Sequence, residues 1–293
     1  MRTSIEVCGR GIFVALSPLA VAAVVVPGCA ARDPGVDPAP RPVPHEQFTE
    51  TLDGTTVSFV MKPVPAGRFA LQDGSGVGGG QAGIGPFWIS ETEVTWDAYD
   101  VYLFGPDEQE AAGDAGPDAV TRPSKPYISV DRGFGHAGYP AISMSYLGAL
   151  SFCEWLSRRT GRRYRLPTQR EWRYVCRLGA VDGASADEHA WYRSNADFRT
   201  HPVATRAPDA LGLYDLWGNA SEWCTGPDGS PVTLGGSYRD PAGGIGCGAR
   251  VLPSDAWNES DPQVPKSVWW LADAGFVGFR VVCEPPEHDG EEP

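Results

Sequence analysis

Positive charge is scarce in this sequence. Lys and Arg number 24 against 37 Asp and Glu, giving a net charge of -13 and an isoelectric point near 4.8. There is no long basic run to track a phosphate backbone. The densest group, Arg158, Arg159, Arg162, Arg163 and Arg165, falls at a predicted helix end and the turn after it, where cations meet the negative pole of the helix dipole. Nucleic acid is therefore excluded as a partner. Histidine is equally thin. His45, His136, His189, His201 and His288 are scattered with no i, i+4 pair, which excludes a centre built on paired histidines along a helix. No apolar run reaches the roughly 20 residues of a membrane-spanning helix. The longest, Gly11 to Val26, is interrupted by Pro18. No repeat with a period of about 20 to 50 residues is visible, which excludes solenoids and propellers.

What remains is a body rich in glycine (36), proline (27) and aromatic side chains (11%), with only 21% charged residues. That composition predicts an irregular, loop-rich α+β fold rather than a helix bundle. At the N-terminus, Arg2 and Arg10 precede the apolar run, and Val26-Pro27-Gly28-Cys29-Ala30 follows it. The run suits the apolar region of a signal peptide. The residues after it resemble a bacterial lipobox, with Cys29 as the lipidated residue, although Pro27 is unusual there; ordinary secretion is the competing reading. The expected organisation is a lipoprotein-type signal peptide over residues 1–28, a proline-rich tether over 29–47, one domain over 48–285 and an acidic tail over 286–293. The tether's prolines favour a semi-rigid extended chain. Some 240 residues suffice for one large domain with a sizeable core.

Along the domain, Val57 to Met61 alternates as a strand that Pro63 and Pro65 end, and Gly67 to Leu71 starts another. Gly74 to Gly85 contains a formal dinucleotide fingerprint, but an extended run at Phe87-Trp88-Ile89-Ser90 follows where a helix is required, so the stretch reads as a surface loop. Thr95 is placed to cap a short helix reaching Leu103, and Gly105 to Pro126 reads as an exposed loop. A longer helix follows Ser145 and stops at Gly161. Another begins at Thr168, where Thr168-Gln169-Arg170-Glu171 forms a capping box, and stops at Gly179. Beyond Gly183 the chain reads as short strands, turns and aromatics.

Four blocks stand in order: Tyr164-Arg165-Leu166-Pro167-Thr168-Gln169-Arg170-Glu171-Trp172, then Gly212-Leu213-Tyr214-Asp215-Leu216-Trp217-Gly218-Asn219-Ala220-Ser221-Glu222-Trp223, then Gly235-Gly236-Ser237-Tyr238, and Gly278-Phe279-Arg280. With Glu93-Val94-Thr95 and Pro140-Ala141-Ile142-Ser143, they resemble the formylglycine-generating enzyme, or sulfatase-modifying factor, family from about Phe59 to Cys283. The resemblance implies a single domain with an irregular C-type-lectin-like α+β fold.

It also implies a structural calcium ion held by the side chains of Asp215 and Glu222 and the carbonyls of Gly218 and Ala220. Hard oxygen donors around a turn suit calcium; the alternative is that Glu222 caps turn amides and no metal binds. The family's two bridges fall on Cys153 with Cys283 and on Cys176 with Cys247, each closing a long loop worth roughly 4 to 5 kcal/mol by chain entropy. Cys224 is left over, either a reactive thiol or a small buried hydrophobe.

The family's oxidase chemistry needs two cysteines just after the Gly-Gly-Ser-aromatic block, as thiolate ligands of copper(I). Here Arg239 to Gly246 contains no cysteine. The sequence thus assigns no catalytic residue and argues against copper. The expected function is a non-catalytic binding module, exported and anchored to a membrane facing the periplasm or exterior, monomeric, with a peptide, glycan or envelope protein as ligand. Trp217, Trp257, Trp269 and Trp270 are candidates for its surface. The alternative is an oxidoreductase of the formylglycine-generating class, or another reaction, with an altered site around Ser237, Asp240 and Cys224.

Overall fold

In the computed structural model the described residues are 46–69, 82–105, 129–181, 183 and 185–286. The signal peptide, Cys29 and nearly all of the tether lie outside them, as do most of the Gly74–Gly85 and Gly105–Pro126 stretches and all of the acidic tail but its first residue.

Among the described residues, eleven strands and four α-helices follow in chain order. β1 is Phe48–Thr51, β2 Ser58–Val64, β3 Gly67–Phe69, β4 Ala82–Ile84 and β5 Phe87–Ser90. α1 is Trp96–Phe104, α2 Tyr146–Thr160, β6 Tyr164–Arg165, α3 Gln169–Leu178 and α4 Ala186–His189. β7 is Ser221–Thr225, β8 Pro231–Gly235, β9 Gly246–Val251, β10 Val277–Gly278 and β11 Val282–Cys283. One sheet runs β1-β2-β5-β11-β6, a second β10-β7-β8-β9, and β3 pairs with β4. The short strands and long connections give the mixed, irregular α+β domain that the composition implies.

Local chemistry accounts for most boundaries. Ser145 caps α2 by accepting from the Gly148 amide, and Gly161 ends it in the left-handed region at φ 69°, which glycine occupies without steric cost. The Thr168–Glu171 capping box is complete. Three expectations need correction. β2 continues through Pro63 to Val64, because β1 pairs only with Ser58–Met61 and the proline sits where β5 alone flanks the strand, a position that tolerates a missing amide. The Thr95 hydroxyl makes no capping bond; the carboxylate of Asp97 in that first turn instead accepts from Gly138 N at 2.6 Å. Ala82–Ile84, read as part of a loop, forms β4 against β3.

Two apolar clusters carry the domain. The larger joins α1 and α2 to the C-terminal segment: Phe152 stacks on Tyr99 at 5.5 Å and meets Phe279 edge-on at 5.3 Å. The smaller packs Trp172 and Val175 of α3 against Leu216, Leu234 and Val282. Arg280 is completely buried, so its charge needs a partner inside the protein.

Candidate functional site

The Gly212–Trp223 block forms a tight turn that feeds β7. Gly218 has φ 79°, and a side chain there would meet the Trp191 carbonyl at 2.1 Å, so the chain can turn here only with glycine. Asn219 follows, also left-handed and fully buried. Its side-chain oxygen accepts from His201 N at 2.9 Å, and its amide donates to Glu93 Oε2 at 3.3 Å. Glu93 Oε1 accepts from Ala220 N at 3.1 Å. The turn is thus pinned from a remote segment by a buried carboxylate. That role was not read from the sequence; the signal for it was a lone acid between the apolar strand β5 and helix α1.

Glu222 is fully engaged. Its carboxylate accepts from Arg280 Nη2 at 2.6 Å, Arg280 Nε at 2.7 Å and Trp172 Nε1 at 2.6 Å. The remaining Arg280 hydrogens go to the carbonyls of Ser90 at 3.0 Å, Glu91 at 3.4 Å and Tyr214 at 2.8 Å. A charge taken out of water needs this degree of satisfaction. Around the pair stand Glu93 and Asp215, both buried. Burial, then the charges of Asp215 and Glu222, push Glu93 well above the usual carboxylate range, against the pull of Arg280. Burial likewise raises Asp215 to about 6, against the Ala204 amide and Arg280.

The calcium set expected at Asp215, Gly218, Ala220 and Glu222 fits this arrangement only in part. Asp215 fits: Oδ2 accepts from Ala204 N at 2.8 Å, and Oδ1 is buried with no partner. Glu222 does not fit, because Arg280 and Trp172 already take both of its oxygens. It is not a cap for turn amides either, the other reading open from sequence.

The cysteines divide differently from the expectation. Cys176 of α3 and Cys247 of β9 are bridged. Cys153 and Cys283 are separate buried thiols. The Cys283 sulfur contacts the Glu284 carbonyl at 3.6 Å rather than a second sulfur, and burial pushes its thiol up to about 11. Burial also raises the thiols of Cys153 and Cys224. Cys224, in β7, is wholly inaccessible, so it is the small hydrophobe and not a nucleophile.

The segment following Gly235-Gly236-Ser237-Tyr238 is equally committed. Asp240 Oδ2 accepts from both the Ser237 amide (2.8 Å) and the Ser237 hydroxyl (2.7 Å). Ser237 is fully buried. The hydroxyl is thus a turn hydroxyl, bonded to a side chain rather than to backbone, and Asp240 is its acceptor instead of Arg239's surface partner. No soft donor stands here, and the residues present do not fit copper(I).

Beside this segment lies a groove of about 330 Å³ with Trp217, Ile245, Cys247 and Arg177 on its walls. Of the four tryptophans considered for a binding surface, Trp257, Trp269 and Trp270 belong to the core, and Trp217 lines the groove. In the arginine group at the end of α2 and the turn after it, Arg165 pairs with Glu171 and Glu284, Arg162 with Glu50 and Arg163 with Glu284.

Residues 59–285 match the family described as "Sulfatase-modifying factor enzyme 1-like domain". Among curated proteins, the chain is similar to the serine/threonine-protein kinase pkn1 of Chlamydia pneumoniae, 31% identical over 31% of this chain and 14% of that one. It is similar to the chaperone protein LppX of Paenibacillus barcinonensis, 32% identical over 28% of this chain and 38% of that one. The formylglycine-generating enzyme of Mycobacterium tuberculosis is 29% identical over 30% of this chain and 34% of its own. Each alignment spans well under half of the relative. The solved structure of Treponema denticola variable protein 1 superimposes with a TM-score of 0.60 at 23% identity, over 82% of this chain and 99% of that one, a likeness of fold. The match over most of the domain, with the four blocks in place, makes this chain a member of the sulfatase-modifying factor, or formylglycine-generating enzyme, family.

Proposed function

We propose that this chain is a non-catalytic binding module of the cell envelope, exported and held to a membrane through Cys29, which retains its family's scaffold without the oxidase centre. One observation carries the reading. Where the family's chemistry needs two accessible thiolates, residues 239–246 offer none, and Asp240 is spent on Ser237. The three unbridged cysteines among the described residues are all buried, with thiols raised by burial.

The groove beside Trp217 supports a binding role. Its volume lies within the range of small-ligand sites, an indole supplies contact area at low entropic cost, and Arg177 offers one charge for an anionic group. A peptide, a glycan or an envelope protein would be held by this combination. The likeness to a protein named as a chaperone supports a role for the domain outside oxidation.

The test is to incubate the full chain, loaded with copper, with a Cys-x-Pro-x-Arg peptide and follow the peptide by mass spectrometry. The cysteine stays unmodified if the reading is right. Appearance of the aldehyde overturns it in favour of an oxidoreductase with an altered site.

A further inference from the structure

β9 ends the strand order β10-β7-β8-β9, and no strand stands on its outer side among the described residues. At six residues it is longer than the other edge strands of the two larger sheets, β1 with four and β6 and β10 with two each. Its inner side is only partly paired. Gly246 stands opposite Gly235 and Arg250 opposite Leu234, where the register shifts, so residues 247–249 have no partner in β8. Outside β8, no described residue hydrogen-bonds to the backbone of residues 246–251. A row of unmet amide and carbonyl groups is a template for a further strand.

The rim of this edge is cationic, in a chain of net charge -13. Arg177 of α3 stands beside the first half of β9, on the wall of the groove with Gly246, Cys247 and Gly248. Arg250 marks the second half, and its Nε donates to Gln169 Oε1 at 3.5 Å. Both arginines are exposed, and neither forms an ion pair with a described residue. Asp228 feels the charge of Arg250, but its carboxylate accepts from the Ser230 amide at 3.1 Å and hydroxyl at 2.5 Å. A charge commonly guards a strand edge. Here the guard is selective. Two copies of β9 laid side by side would bring arginines together in either direction, so self-pairing is opposed and an acidic strand is favoured.

The edge is also ordered in advance. Cys247 is bridged to Cys176 of α3, so β9 is fixed before a partner arrives and less entropy is lost on binding. At one end the groove offers Trp217 and Ile245 to an apolar side chain; at the other, Val251 and Leu252 are 45% and 53% exposed. Between them Gly248 leaves open space, since a Cβ there would meet nothing within 4 Å. A glycan would answer the arginines but not the backbone edge. A peptide answers both.

We infer that the outer edge of β9 is the docking site for an extended acidic segment of a partner protein, added to the sheet as a further strand with its carboxylates on Arg177 and Arg250. This rests on the binding-module reading and names the occupant of that groove.

The experiment titrates the full chain into fluorescein-labelled peptides and follows anisotropy. The probes are an eight-residue peptide of alternating Glu and Val, the same peptide N-methylated at every second amide, and the alternating Lys and Val peptide; an oligogalacturonate of equal charge serves as a competitor. The acidic peptide should bind, and more weakly as salt rises from about 0.05 to 0.5 M. The basic peptide should not bind. N-methylation keeps the charge and removes strand hydrogen bonds, so it should weaken binding about tenfold or more, as should Arg177→Glu combined with Arg250→Glu in a chain shown by circular dichroism to be folded. Four results each overturn the inference: no binding of the acidic peptide up to about 1 mM, equal binding of the N-methylated peptide, wild-type affinity in the double variant, or displacement by the oligogalacturonate as effective as by unlabelled peptide. Each leaves the binding-module reading standing, because only aldehyde formation in the copper test removes that.

Discussion

Arg280 and Glu222 meet through two parallel hydrogen bonds of 2.6 and 2.7 Å, with side-chain exposures of 0% and 1%. This pair joins the two larger sheets. Arg280 follows β10 and reaches the Ser90 carbonyl of β5, while Glu222 belongs to β7 and receives the Trp172 indole from α3. Gly278 lets the segment sit there, since a side chain would meet the Ala141 carbonyl at 2.7 Å.

Breaking the pair on one side should be costly. Arg280→Met leaves a buried carboxylate with the Trp172 indole as its remaining donor, and Glu222→Leu leaves a buried guanidinium without its anion. Each is expected to lose about 3 to 5 kcal/mol. The double variant should lose less than the sum, because neither charge is then stranded. Urea denaturation of the three variants checks this; strict additivity would show the two groups do not act as a unit.

The Cys176–Cys247 bridge spans 71 residues and should contribute about 4 kcal/mol by the chain-entropy estimate. Cys176→Ser in non-reducing conditions is expected to lower the denaturation midpoint, and a reductant should then have no further effect on it. Wild-type chain treated with reductant should converge on the variant. A midpoint in the variant equal to that of the oxidised wild type would remove the bridge from the stability account.

Thiol labelling separates this bridge from the second one that the family resemblance implies. Cys153, Cys224 and Cys283 are buried thiols, and at pH 8 a group pushed to about 11, such as Cys283, is almost wholly protonated and unreactive. Iodoacetamide should spare all three in the native chain and modify all three after denaturation without reductant. Peptide mapping that instead finds Cys153 and Cys283 joined would restore the expected pair.

Much of this was legible in the sequence because it is local. The α2 and α3 caps depend on contacts three residues apart, and both Ser145 and Thr168 behave as their neighbours predict. The turn at Gly218 follows from its own backbone angle. The partners of the buried acids were not legible, because they come from remote chain. Glu93 reaches Ala220 across 127 positions, and Arg280 reaches Ser90 across 190. Asp215 and Glu222 both look like free oxygen donors in sequence; only the fold reveals that one is already neutralised. Even the binding tryptophans were sorted by packing alone, three into the core and one onto the groove.

A last prediction concerns pH. His136 bridges Asp100 on α1 at 2.7 Å and Asp131 at 3.3 Å. Burial alone would lower its pKa, but the two carboxylates outweigh that and raise it above the ordinary histidine value. A histidine held up in the folded state contributes stability that is fully present below its unfolded pKa, near 6.5, and is lost as pH rises through the folded value. His136→Gln should therefore be less stable than wild type at pH 6, by about 0.5 kcal/mol given that the ring is 47% exposed, and the gap should narrow at pH 9. The ring also stacks on Trp96 at 5.1 Å, a contact that the charged imidazolium strengthens in the same direction. A gap of the same size at both pH values, measured by thermal melts, would assign the whole contribution to packing of the ring and none to its charge.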